Sequence, residues 1–253
     1  MNRLFGRATT EAHSSWLVAI GRAARTVVGA LAYRRDVVSE QTRYGADLED
    51  RALWLREAAA RLCQSMRVDV SMEGEPPRGP CVIVSNHMSY LDPLAIGRTL
   101  PLSAVAKSEL LEWPTVGDAL EDLGVVFVQR GSVMSGAIAL RRASRILDAG
   151  LPVLVFPEGR TTFGDEVLPF SRGAFGIAQL KRVPVVPVAL RYRSLDCCWV
   201  GDARFLPHFL KLHRLDEVSV ELTFGPALDP SDFADVSLLR STTEEWIRSR
   251  LFR

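Results

Sequence analysis

Net charge is nearly absent: 31 Lys and Arg against 30 Asp and Glu leave a formal +1. No bulk field therefore points to nucleic acid as a partner, although local basic patches can still attract phosphates or anionic lipid. Cysteine is scarce too. Cys63, Cys81, Cys197 and Cys198 show no zinc-like spacing and two are adjacent, so they read as reduced structural thiols in a cytosolic setting. Neither His-Glu-x-x-His nor Cys-x-x-Cys occurs, and no metal is expected. A Gly-x-Ser-x-Gly nucleophile elbow is missing; Pro169-Phe170-Ser171-Arg172-Gly173 lacks the first glycine, which argues against a serine hydrolase. Arginines interrupt the N-terminal apolar stretch well short of the roughly 20 residues that cross a bilayer, and no small-residue cleavage site follows. Repeats and low-complexity segments are also missing.

What is present is a globular composition. The 253 residues, 47% hydrophobic and 24% charged, suit one α/β domain with an appended helical segment and can bury a substantial core. Leu17, Ile20, Ala24, Val27 and Leu31 recur at helical spacing with Arg22 and Arg25 opposite, predicting an amphipathic basic helix bounded by Trp16 and Tyr33-Arg34-Arg35. A second helix is predicted over 47–66, with Leu48, Ala52, Leu55, Ala59, Leu62 and Met66 on one stripe. Residues 1–66 thus read as an N-terminal amphipathic segment able to anchor at a membrane surface, with arginines near lipid phosphates, and 67–253 as the α/β domain. The second helix is expected to pack on that domain; the first is expected to face lipid.

From Val68 onward strands and helices alternate. Strands are expected at 68–72, 82–84, 102–106, 125–128, 153–156, 183–191 and 218–224. Helices are expected from Pro93, at 114–123, 133–148 and 173–181, in a short piece after Trp199, and at 237–251. Near-continuous apolar strands in this alternation predict a mostly parallel central sheet covered by helices. The two prolines of Val183-Pro184-Val185-Val186-Pro187-Val188 suggest an edge or irregular strand. Sites in such sheets form where loops leave the carboxyl ends of strands, and His87, Lys107, Arg130 and Glu158 all fall there.

The most informative stretch is 81–93, Cys-Val-Ile-Val-Ser-Asn-His-Met-Ser-Tyr-Leu-Asp-Pro. A buried strand leads into a loop, with Asp92-Pro93 as N-cap and first position of a helix. On a continuous helix the five-residue offset would set His87 and Asp92 about 140° apart, so they can meet only if the loop curls back. Such a pair supports general-base chemistry. A neutral imidazole takes a proton from an attacking hydroxyl, and the carboxylate fixes its tautomer and stabilises the imidazolium.

Asn86-His87-Met88-Ser89-Tyr90-Leu91-Asp92 resembles the His-x-x-x-x-Asp signature of the glycerolipid acyltransferases, the family that includes 1-acylglycerol-3-phosphate acyltransferase. Three more blocks follow in that family's order: Lys107-Ser108-Glu109-Leu110 leading to Gly124-Val125-Val126-Phe127-Val128-Gln129-Arg130, then Phe156-Pro157-Glu158-Gly159-Arg160, then 183–188. The resemblance covers roughly residues 80 to 190. It implies that His87 deprotonates the acceptor hydroxyl as that oxygen attacks an acyl thioester, with Asp92 orienting it and Asn86 bracing the loop. It assigns the Glu-Gly-Arg block to a glycerol-phosphate head group: Arg160 to the phosphate, Glu158 to Arg160 or a substrate hydroxyl, and Gly159 to close backbone approach. Lys107 and Arg130 read as further phosphate partners, and Ser171-Arg172-Gly173 as a possible anion site at a helix start.

The implied reaction takes acyl-CoA or acyl carrier protein as donor substrate, needs no cofactor, and makes phosphatidate from 1-acylglycerol-3-phosphate at the cytoplasmic face of a membrane. Glycerol-3-phosphate and a lyso-aminolipid such as lyso-ornithine lipid remain alternative acceptors. A non-catalytic lipid-binding module is a further alternative, against which the intact His87 and Asp92 count. Residues 197–202 map onto no substrate role.

Overall fold

The computed structural model describes residues 13–113, 115–129 and 131–252. Two helices come first, α1 (Trp16–Tyr44) and α2 (Leu48–Ser65). Then β1 (Val68–Glu73), β2 (Val82–Ser85), α3 (Asp92–Gly97), β3 (Ser103–Lys107), α4 (Val116–Asp122) and β4 (Val126–Val128) follow. The chain continues through α5 (Val133–Asp148), β5 (Val153–Val155), α6 (Gly173–Lys181), β6 (Val185–Tyr192), α7 (Phe205–Leu212), β7 (Val218–Phe224) and α8 (Val236–Leu251). Pro114, the expected start of the fourth helix, lies outside the described residues.

The strands form one sheet in the order β1-β7-β6-β2-β5-β3-β4. Only the β6–β7 pair is antiparallel; the other neighbours are parallel, so the expected mostly parallel sheet is what forms. In β2, Ile83 joins the core on the side of α1, α2, α3 and α7, while Val82 and Val84 join the core under α5, α6 and α8. That division is the pleat at work, and it explains why the strand carries no polar alternation.

Of the two expectations for 183–190, an edge or an irregular strand, the edge does not hold: the strand is central. β6 lies between β2 and β7, with Val84 beside Pro187. Pro187 is tolerated because its missing N–H falls where the β7 ladder ends: pairing runs only to Val188–Phe224, and beyond it Gly225 donates to the Pro187 carbonyl without a reciprocal bond.

The first helix is longer than its sequence stripe suggests. It runs 29 residues, about 44 Å at 1.5 Å per residue, and stops where Gly45 takes φ +79° and donates to the Gln41 carbonyl. Small residues face inward, Ala19, Ala23 and Thr26 among them, while Leu17, Ile20, Val28 and Leu31 face outward. Arg22 does not point outward with them. It binds the Ser14 hydroxyl and the His213 and Leu215 carbonyls, so it holds α1 to the body of the protein. The second helix opens on a reciprocal Asp47–Asp50 capping box and buries Ala52, Leu55, Ala59 and Cys63, packing on the domain as expected. Among the described residues, no helix is long and apolar enough to cross a membrane.

Candidate active site

Three adjacent parallel strands, β2, β5 and β3, end at one edge of the sheet. His87 follows β2, Glu158 follows β5, and Lys107 is the last residue of β3. Arg130 lies outside the described residues. The loop 86–91 does curl back: His87 Nδ1 is 2.7 Å from Asp92 Oδ2. The same oxygen accepts the Met88 N–H at 2.6 Å and the Ser89 N–H at 2.9 Å. Asp92 Oδ1 accepts the Tyr192 hydroxyl at 2.7 Å.

This arrangement corrects the helix start. Leu91 is the N-cap of α3, with no side-chain capping bond, and Asp92 is its first residue. The Asp92 carboxylate is spent on the histidine loop and on Tyr192, so capping does not compete for it. Fully buried and approached by four donors, Asp92 acts as acceptor only. That puts the proton of a neutral His87 on Nδ1 and leaves Nε2 as a base. The His87 side chain is 22% exposed and borders the main cavity, with its ring stacked on Phe156 at 4.2 Å.

Asn86 is buried and bonds both the N–H and the carbonyl of Leu190 in β6, bracing the loop as anticipated. Of the two roles expected for Glu158, holding Arg160 or a substrate hydroxyl, the first is not formed among the described residues. Glu158 Oε1 accepts the His87 N–H at 2.8 Å and its Oε2 accepts the Leu168 N–H at 2.9 Å, so it ties the histidine loop to the segment after β5. Burial pushes its carboxyl up to about 7, against these two N–H bonds, which favour the charged form. Gly159 takes φ +73°, a conformation that lets the chain turn between Glu158 and Arg160.

Arg160 is exposed and borders the cavity; among the described residues it has no ion pair. Lys107 also borders the cavity, with Nζ 5.7 Å from the Trp199 ring centre. Ser171-Arg172-Gly173 does open a helix, and the Ser171 N–H donates to the Pro157 carbonyl, which sets α6 beside the Glu158 loop.

Sequence reading missed the 197–202 segment. Trp199 donates its N–H to the Met88 carbonyl and accepts the Thr161 hydroxyl, so it clamps the histidine loop to the loop after β5. Tyr90, Trp113, Trp199 and Phe205 then form an aromatic wall. No signal in the sequence joins these positions, which come from four separate stretches. Behind this wall the cavity holds about 1790 Å³ and reaches α1 and α2, where Val27, Leu31, Leu55 and Ala59 line it. An imidazole with its Nε2 free to take a proton, bordering a large cavity with many apolar lining residues, has the chemistry to serve a lipid with a reactive hydroxyl.

Comparison with known proteins decides the family. The family model named Acyltransferase matches residues 67–191. A lyso-ornithine lipid O-acyltransferase of Pseudomonas aeruginosa is 34% identical over 198 residues, covering 76% of each chain. The chain belongs to the glycerolipid acyltransferase family. A 1-acyl-sn-glycerol-3-phosphate acyltransferase of Neisseria meningitidis is 36% identical over 191 residues, 72% of this acyltransferase and 75% of that one. The crystal structure of the 1-acyl-sn-glycerophosphate acyltransferase of Thermotoga maritima shares the fold, with a TM-score of 0.56, 24% identity and coverage of 91% and 96% of the two chains. The family implies an acyl donor and a lysolipid acceptor as substrates of this acyltransferase.

Proposed function

We propose that this acyltransferase moves a fatty acyl group from an acyl thioester to the hydroxyl of 1-acylglycerol-3-phosphate, giving phosphatidate. His87 Nε2 takes the hydroxyl proton as the oxygen attacks the thioester carbonyl, and Asp92 stabilises the imidazolium. Collapse of the tetrahedral intermediate breaks the carbon–sulfur bond, and His87 returns the proton to the leaving thiolate. The donor is acyl-CoA or acyl carrier protein, and the lipid enters from the cytoplasmic face of a membrane.

The observation that carries the acceptor assignment is Arg160, an exposed guanidinium at the cavity with no ion pair among the described residues. It suits bidentate contact with a phosphate, and Lys107 supports it from the end of β3. A second reading, a lyso-ornithine lipid acceptor, draws on the Pseudomonas aeruginosa relative and on Asp165 and Glu166, which border the same cavity and could meet an ammonium.

Thiol release from a long-chain acyl-coenzyme A separates them. The expected result is turnover with 1-acylglycerol-3-phosphate, a fall of about 100- to 10,000-fold in His87→Ala, and a KM for acceptor raised in Arg160→Ala. Preference for lyso-ornithine lipid would transfer the assignment to the second reading. Thiol release without any acceptor would mark a hydrolase and overturn both.

A further inference from the structure

A second concavity, about 550 Å³, lies between α5 and α6. Leu140, Gly173 and Ile177 line both it and the main cavity, so the two lie side by side. Its floor includes Gly173 and Gly176, where an added Cβ would meet nothing within 4 Å, so open space stands over the helix backbone. Arg141 and Arg145, one helical turn apart on α5, and Arg172, just before α6, form its rims. All three are exposed. Among the described residues, Arg141 and Arg145 have no ion pair, Arg172 reaches only the Ser237 hydroxyl at 3.4 Å, and no acidic side chain lines the furrow. In a chain with a formal charge of only +1, three uncompensated guanidiniums around one small hollow are a local concentration.

We propose that this furrow holds the 3′-phospho-ADP end of acyl-coenzyme A, with Arg141, Arg145 and Arg172 on its phosphates and the exposed Leu180 beside the base. The inference rests on the acyl-thioester donor of the proposed reaction. Guanidinium is the cation suited to bidentate phosphate contact. The hollow falls within the roughly 300–1,000 Å³ of small-molecule sites, and its concavity favours a nucleotide over a carrier protein, which needs a broad docking face of about 800 Å². The route to the base is short in connectivity. Ser171, next to Arg172, bonds Pro157, and Glu158 bonds the backbone of His87. On this proposal the pantetheine arm runs past the start of α6 to His87 while the acyl chain enters the main cavity.

The test is calorimetric titration of the full chain with adenosine 3′,5′-bisphosphate and with coenzyme A, neither of which needs an acceptor or turnover. Binding is expected for the wild-type protein and for His87→Ala. It should weaken by about 10-fold or more in the Arg141→Ala/Arg145→Ala double variant, whose substitutions lie on an exposed helix face and should leave the melting temperature unchanged. In turnover, the double variant should raise the KM for acyl-coenzyme A with kcat preserved, and should leave the KM for acyl-pantetheine, which carries no phosphate, unaltered. Equal binding by wild type and double variant, or no binding by either, overturns the proposal. So does loss of turnover confined to acyl carrier protein, which would make the arginines a protein-docking surface. Because the titration contains no lysolipid, a wrong acceptor assignment cannot imitate any of these failures.

Discussion

At the scale of single residues, the histidine–aspartate pair has a third member. Tyr192 is fully buried and donates its hydroxyl to the Asp92 oxygen that does not face His87. Burial and the neighbouring Asp92 hold its phenol well above the usual range, so it remains a donor. A hydrogen bond to a buried charged group contributes on the order of 1.5–3 kcal/mol. Tyr192 thus holds Asp92 in position for His87, and Tyr192→Phe should lower kcat about 10-fold by letting that pair shift out of alignment, with the KM for acceptor little changed. With one donor gone, the Asp92 carboxylate holds the imidazolium more strongly, and the acidic limb of the kcat/KM profile should move to higher pH. A purely structural tyrosine would lower stability and leave that limb in place. His87 and Asp92 were legible because they belong to one local motif. Tyr192 lies 100 residues further on, inside a run that reads as core, and only pairing of β6 with β2 brings it beneath Asp92. Glu158 was legible as a site residue but not in its role, because its partners are backbone N–H groups that leave no trace in residue type.

At the scale of elements, α1 reverses the usual pattern, with small residues toward the protein and large apolar ones away from it. Trp16, Leu17, Ile20, Val27, Val28 and Leu31 are each between 46% and 83% exposed. From Leu17 to Leu31 they fall within about 100° of helix circumference. A water-facing stripe of this kind suits the acyl region of a lipid surface, and the helix also lines the cavity beside His87 through Val27 and Leu31. The membrane contact expected of α1 from its sequence can be tested on this stripe. Leu17→Glu/Val28→Glu should reduce co-sedimentation with phosphatidylglycerol vesicles by at least about 10-fold, since each buried aliphatic side chain is worth roughly 1.5–3 kcal/mol. Turnover of a short-chain, water-soluble acceptor should be unaffected. Undiminished sedimentation would assign the stripe elsewhere. The stripe itself was readable from periodicity. Its outward direction also agrees with the expectation that this helix faces away from the domain, but Arg22 was expected near lipid phosphates and instead binds the His213 and Leu215 carbonyls, a partner set that no periodicity reveals. For the same reason Pro184 and Pro187 suggested an edge: the sequence does not reveal that β7 stops one residue short of needing the missing N–H.

At the scale of the whole molecule, two buried histidines and the half-buried Glu158 set opposed limits on stability. Glu158, raised to about 7 by burial, binds its proton more tightly folded than unfolded. Its contribution is fully present below the ordinary carboxylate range near 4.5 and is lost as pH rises through 7. A shift of this size amounts to on the order of 3 kcal/mol across that interval. His208 and His213 are lowered by burial, so their contribution is present above 6.5 and is lost as pH falls through their folded values. His213 is also a seam: Nδ1 donates to the Phe209 carbonyl and Nε2 meets the Thr26 hydroxyl of α1 at 3.0 Å, with Arg22 and Arg67 beside it opposing a positive charge. Acid should therefore loosen the join of α1 to α7 before it reaches the sheet. Denaturant midpoints from pH 5 to 8.5 check the balance. Glu158→Gln should be less stable throughout, since an amide cannot accept both N–H bonds, yet its stability should no longer decline between pH 5 and 8. His213→Gln should lose less stability than wild type below pH 6.5, with the remainder from His208. If His213→Gln follows the wild-type acid limb unchanged, the α1–α7 seam is not where protonation acts.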